Sequence, residues 1–86
     1  MDSYEIKWKR SAVKELKQLP KEIIARILQA VESLADDPFP AGAKKLVGSK
    51  HTYRIREGDY RITYDVLSKT LVIEIIRVGH RKDVYD

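Results

Sequence analysis

The spacing of hydrophobic and polar positions changes along this chain, and each change marks an element. Tyr4, Ile6 and Trp8 alternate with Glu5 and Lys7, the period of a half-buried strand. Ser11 then stands where it can cap a helix, in which Val13, Leu16 and Leu19 recur at helical spacing until near Pro20. A second helix carries one continuous stripe, Ile23, Ile24, Ile27, Leu28, Val31 and Leu34, opposite Glu22, Arg26, Gln29 and Glu32. Asp36-Asp37-Pro38 stops it, because a residue before proline is pushed out of the helical region. A connector rich in Pro, Ala, Gly and Lys runs from about Phe39 to Lys50.

Beyond the connector the period is two. Tyr53 and Ile55 share one face of a strand, with Thr52, Arg54 and Arg56 on the other. Gly58-Asp59 fits a tight hairpin turn, after which Tyr60, Ile62, Tyr64 and Val66 alternate with Arg61, Thr63 and Asp65. Ser68-Lys69 makes a second turn. Leu71 to Val78 is almost continuously apolar, as a central strand is, and Gly79 ends it before a short polar tail, His80 to Asp86. The predicted class is α+β. It is a two-layer sandwich in which an N-terminal strand and a two-helix hairpin pack on one face of a mainly antiparallel four-stranded sheet. With 86 residues, no internal repeat and no dividing linker, residues 1–86 are expected to form a single domain.

That arrangement leaves the other sheet face without helices. Arg54 and Arg56 point to it together, and hairpin pairing brings Arg61 beside them. Like charges so close repel, and a phosphodiester supplies a reason to bear the cost, because guanidinium forks match phosphate oxygens. Converging on one phosphate, they could also stabilise a five-coordinate phosphorane. The alternative is a solvated face whose charges guard the sheet against association. Lys44, Lys45 and Lys50 either extend the groove along a phosphodiester backbone or are ordinary loop lysines.

Composition narrows the choice. A chain this short has a thin core and little room for a deep pocket, which favours a surface that meets a macromolecule over a small-molecule enzyme. Charged residues make up 35% and hydrophobic residues 43%, enough for a core, so disorder is not expected. In residues 1–40 seven basic side chains are matched by seven acids, so the net charge of +4 lies wholly after residue 40. An imbalance of that kind suits a polyanion or an acidic partner. There is no cysteine, there are two histidines far apart in sequence, and no glycine-rich phosphate loop is present, so neither a metal nor a cofactor is expected. No apolar run approaches the roughly 18 residues that span a membrane, and MDSYEIKWKR lacks the apolar centre of a signal peptide. A soluble, cytoplasmic protein with no membrane partner is expected.

Two further residues carry candidate chemistry. His80 is a structural or simply exposed residue at a strand end, or else a group that exchanges protons near neutral pH, as His51 also can. Tyr85 is a stacking platform for a base, a proton carrier or a packing residue. Neighbouring cations lower the pKa of a phenol, which is the shift a base needs.

Three strings, YRIREGDYRITYDV, RVGHRKDVY and the earlier KKLVGSKHTYRIR, together with SAVKELKQLP, resemble the signature of the RelE/ParE toxin family over nearly the whole chain. The resemblance implies the toxin of a type II toxin–antitoxin system, in the RelE branch a ribosome-dependent mRNA endonuclease. Its site residues fall on Arg54, Arg56, Arg61, Arg81 and Tyr85, with His80 where some relatives place a basic or histidine residue. It implies a metal-free cut in which the 2′-hydroxyl of the RNA attacks the adjacent phosphorus, with ribosomal RNA positioning the message. The two strand positions are lysine in the best-described RelE enzymes and arginine here. Arginine stays protonated, so Arg54 and Arg56 are assigned to phosphate grip, Arg61 to the phosphorane, Arg81 to the phosphate or leaving oxygen, and Tyr85 or His80 to the base. The implied partners are a cognate antitoxin, mRNA on the ribosome, and operator DNA only through the antitoxin. The alternatives are a ParE-like gyrase inhibitor without nuclease activity and an inactive member that only binds antitoxin.

Overall fold

The computed structural model describes residues 3–82. Its elements run β1 (Glu5–Trp8), α1 (Arg10–Lys17), α2 (Lys21–Ser33), β2 (Lys44–Lys45), β3 (Thr52–Glu57), β4 (Tyr60–Leu67) and β5 (Val72–His80). They build an α+β fold in which the sheet order is β1-β5-β4-β3-β2, with β1 parallel to β5 and all other pairs antiparallel. The sheet has five strands, not four, because Lys44–Lys45 of the connector pairs with Tyr53 and Arg54.

One core joins the layers. Ala12 and Leu16 from α1 and Ile27 and Val31 from α2, with Leu34 just beyond it, meet Ile55, Ile62, Tyr64, Val66, Ile73, Ile75 and Val78 of the sheet. Each large aliphatic side chain so buried contributes about 1.5–3 kcal/mol. Of the predicted α2 stripe, Leu28 stays exposed and Ile23 and Ile24 are half-buried, so the contact is narrower than the stripe. Tyr64 is fully buried, and its hydroxyl donates to the Pro38 carbonyl at 2.8 Å, satisfying the polar atom it brings inside.

Ser11 does not cap α1. The Lys9 N–H donates to the Ile75 carbonyl at 3.0 Å, which keeps the chain in the β1–β5 ladder until Lys9, and Lys9 becomes the N-cap without a side-chain bond. Leu71 is not in a strand either. It lies in the β4–β5 turn at φ 55°, and its carbonyl accepts from the Glu5 N–H at 2.8 Å, so the turn also starts the β1 pairing. The β3–β4 hairpin has the expected two-residue loop, with Gly58 at φ 59° in the first position, where a type II′ turn needs positive φ.

The β4–β5 register shifts between Thr63 and Tyr64: Thr63 pairs Arg77 whereas Tyr64 pairs Ile75. Ile76 is the extra residue of a bulge, and a bulge reverses the face that later residues take. Ile75 and Val78 therefore both reach the core, and Arg77 is sent to the helix-free side.

β1 ends its pairing at Ile75, leaving the far half of β5 with an open edge. Glu15 of α1 fills the gap: its Oε1 accepts from the Val78 N–H at 2.9 Å, and its Oε2 lies 3.6 Å from Arg77 Nε. Glu15→Ala removes a charged acceptor from a backbone N–H, an expected cost of about 1–2 kcal/mol, read as a fall in Tm of about 5–10 °C. Glu15→Gln keeps an acceptor and should lose much less; equal losses in the two variants would show that the N–H contact is not what stabilises this edge.

Candidate nucleic-acid interface

Residues paired across strands project to the same side, so the register lists what the helix-free face presents. One row is Lys44, Arg54, Thr63 and Arg77, across β2, β3, β4 and β5. The next, nearer the hairpin tip, is Arg56, Arg61 and Gly79. Behind both lies a mixed row, Thr52, Asp65, Glu74 and Lys7. There Thr52 Oγ1 donates to Asp65 Oδ1 at 2.6 Å and His51 Nε2 stands 3.8 Å from Asp65 Oδ2. The face is thus polarised along the strands: four arginines and a lysine occupy two adjacent rows, and carboxylates bound them on one side.

Arg56 and Arg61 are direct cross-strand partners, the placement that hairpin pairing predicts. Arg56 is exposed. Arg61 is half-buried, and its Nη1 donates to the carbonyls of Gly58 (3.3 Å) and Tyr60 (3.2 Å), which hold the guanidinium at the hairpin. Arg54 shares their face, but its predicted exposure is corrected: it is 7% exposed. β2 pairs with β3 at Arg54, so this arginine stands in a row flanked on both sides, and a buried guanidinium has to be partnered, as Arg54 is.

Of the connector lysines, the structure brings Lys44 alone into the arginine rows. Lys45 pairs with Tyr53 and belongs to the opposite side, and Lys50 lies exposed ahead of β3. Arg81 follows β5 and returns to the hairpin tip, where its N–H donates to the Asp59 carbonyl at 2.7 Å and its Nε lies 3.7 Å from Asp59 Oδ1. Arg61 and Arg81 are therefore both anchored around Gly58–Tyr60. His80 sits edge-on to Tyr60, with ring centroids 5.3 Å apart, and its Nδ1 accepts from the Lys82 N–H at 3.2 Å. In that arrangement a neutral imidazole carries its proton on Nε2 and offers a donor, not a base. Tyr85 lies outside the described residues.

Arg77 is the member of the rows that sequence reasoning missed. Alternation continued from Ile73 and Ile75 places it in the core, and only the bulge at Ile76 turns it outward. Its signal was a lone cation inside an apolar run, with the buried positions changing from odd to even numbers.

The family model described as the ParE toxin of the parDE type II toxin–antitoxin system matches residues 6–85. The chain belongs to the RelE/ParE toxin family. Toxin RelE3 of Methanocaldococcus jannaschii is 36% identical over 81 residues, 90% of each chain. Toxin RelG of Mycobacterium tuberculosis is 30% identical over 86 residues, 95% of each. The RelE–RelB complex of Pyrococcus horikoshii contains a chain 34% identical with a TM-score of 0.83, covering 95% of this protein and 99% of that chain. In this RelE/ParE toxin Arg54 and Arg56 on β3 thus stand beside Arg61 on β4. Among the described residues no cluster of three His, Cys, Asp or Glu side chains could hold a metal ion, and no helix is long and apolar enough to cross a membrane.

Proposed function

We propose that this toxin is a ribosome-dependent endoribonuclease that cuts translated mRNA in the cytoplasm. The observation that carries the reading is the cross-strand pair Arg56–Arg61, with Arg54 and Lys44 in the adjoining row, all on the face the helices leave uncovered. Guanidinium groups at one strand spacing suit the non-bridging oxygens of one phosphate, and they need no rearrangement as charge develops there.

In the proposed reaction the ribose 2′-oxygen forms a bond to the adjacent phosphorus and the bond from phosphorus to the 5′-oxygen breaks. The products are a 2′,3′-cyclic phosphate and a 5′-hydroxyl. Arg56 and Arg61 stabilise the phosphorane, Arg54 sets the local positive potential from within the sheet, and Arg81 assists at the departing oxygen. Arginine does not release its proton, and His80 presents a donor, so Tyr85 is assigned as the base that takes the 2′-hydroxyl proton. Water supplies the proton that the leaving 5′-oxygen receives. Ribosomal RNA orders the message.

The relative in Pyrococcus horikoshii is seen with RelB. By the same reasoning this toxin is held by a cognate antitoxin whose acidic segment covers the cationic rows, and operator DNA is reached only through that antitoxin. Purified toxin added to a translating extract should cut the message only when ribosomes are present and leave gyrase supercoiling unchanged. Intact messages with inhibited gyrase would establish the gyrase-poison reading instead. Intact messages with active gyrase would identify a member that only binds antitoxin.

A further inference from the structure

Residues 1–40 carry equal numbers of basic and acidic side chains, but the two signs are not mixed. Between Lys7 and Lys21 six cations meet one acid, Glu15, which is engaged by the Val78 N–H and by Arg77. Lys7 stands opposite Glu74 in the sheet. Lys9, Arg10, Lys14 and Lys17 remain, at the start of α1 and along it, and all four are exposed. Among the described residues no carboxylate forms an ion pair with any of them.

Helix geometry gathers these charges. Ala12 and Leu16 turn one side of α1 into the core, and Arg10, Lys14 and Lys17, four and three residues apart, line the other side. They climb the helix in steps of about 6 and 4.5 Å, so they form one row. The row does not serve the fold. Like charges at these spacings weaken a helix, and no acid alternates with them. Lys9 and Arg10 also stand at the positive end of the helix dipole, in a first turn without an acidic residue. A polyanion explains both departures.

The surroundings favour a phosphate backbone over an acidic protein segment. Beside the row lie Ser11 and Gln18, both exposed and polar. They give a docking peptide no apolar anchor, whereas a phosphate backbone needs only cations. Lysine meets phosphate as a point charge, without a fork that demands one geometry. The row looks away from the sheet, so a message held on Arg56 and Arg61 leaves it uncovered.

We propose that this side of α1 docks on the phosphate backbone of ribosomal RNA while the arginine face takes the message. The inference rests on the nuclease reading and adds residues which that reading does not use: Lys9, Arg10, Lys14 and Lys17. The α1 row sets affinity for the ribosome, and the arginine rows set the rate of the cut once the toxin is bound.

The test compares the native toxin with a neutral double variant, Arg10→Gln with Lys14→Gln, and a charge-keeping one, Arg10→Lys with Lys14→Arg. Binding to message-free ribosomes is measured from about 50 to 200 mM salt, the range over which phosphate contacts are lost. Cleavage is measured as ribosome concentration is varied, beside a thermal melt of each protein. The neutral variant should melt with the native toxin, need about tenfold more ribosomes for half-maximal cleavage, and reach the native rate at saturation. Its plot of log affinity against log salt should be shallower by about 1.5, two phosphate contacts at roughly 0.7–0.9 each. The charge-keeping variant should match the native toxin. If the native toxin cuts but the neutral variant keeps the native half-saturation and salt slope, the docking face is overturned and the nuclease reading stands. If the native toxin cuts nothing yet its ribosome binding depends on the row, the nuclease reading falls and the docking face is upheld. A neutral variant with native ribosome affinity and weakened antitoxin binding would assign the row to an acidic protein and overturn the proposal. Failure of the native toxin to bind ribosomes would overturn it as well.

Discussion

Replacing Arg61 with alanine is expected to lower ribosome-stimulated cleavage by about 10²–10³-fold, the effect of removing one preorganised donor from a site of developing negative charge. The stability cost should be small. In the folded protein Arg61 Nη1 bonds only the hairpin carbonyls of Gly58 and Tyr60 among its described hydrogen bonds, at 3.3 and 3.2 Å, and such bonds to neutral acceptors are worth about 1 kcal/mol. Arg61→Lys keeps the charge and loses the fork, so its rate should fall between the two. Single-turnover cleavage, measured beside a thermal melt, separates chemistry from folding. A folded Arg61→Ala protein that cuts at the native rate would remove Arg61 from the reaction and with it the role given to the Arg56–Arg61 row.

The largest loss of stability is expected at Tyr64. This side chain is fully buried between the helices and the sheet, stacks on Tyr53 at 6.1 Å, and donates its hydroxyl proton to Pro38 O. Tyr64→Ala leaves a large cavity and should cost about 3–5 kcal/mol, a major share of the roughly 5–15 kcal/mol that holds a small domain folded. Tyr64→Phe removes one hydrogen bond and leaves the carbonyl unpaired, an expected cost of about 1–2 kcal/mol. The pair also differs in pH dependence. Burial first, then the nearby Tyr53 and Asp37, push the Tyr64 phenol from 10.0 up to about 12. Because the fold keeps this proton more tightly than the unfolded chain does, the contribution is fully present below pH 10 and is lost as pH rises through about 12. The loss approaches about 3 kcal/mol. Urea melts between pH 9 and 12 should show a steeper alkaline decline in the native protein than in Tyr64→Phe. Parallel curves would show that Tyr64 ionises as easily folded as unfolded.

The elements with strict period were legible in the chain. Alternation across Thr52–Arg56 and Tyr60–Val66 placed Arg54, Arg56 and Arg61 on one face, and the register agrees. The Ile27, Val31, Leu34 spacing placed α2 against the sheet. Features set by pairing with distant residues were not legible. Lys44–Lys45 has no apolar alternation, and it becomes a strand only because the β3 edge is available. The bulge at Ile76 leaves a run that reads as uniformly apolar, so neither Arg77 nor the open edge beside Glu15 could be placed from spacing. The burial of Arg54 was not legible either. Tyr85 depended on the family pattern, and its place in the fold lies outside the described residues.

The end groups left on a cut message probe the arginine face most directly. If guanidinium groups grip the phosphate while the neighbouring 2′-oxygen displaces the 5′-oxygen, every upstream fragment initially carries a 2′,3′-cyclic phosphate and every downstream fragment a free 5′-hydroxyl. Fragments ending in a 3′-hydroxyl and a 5′-phosphate would mean that water or another nucleophile attacked, and would contradict the mechanism assigned to this face.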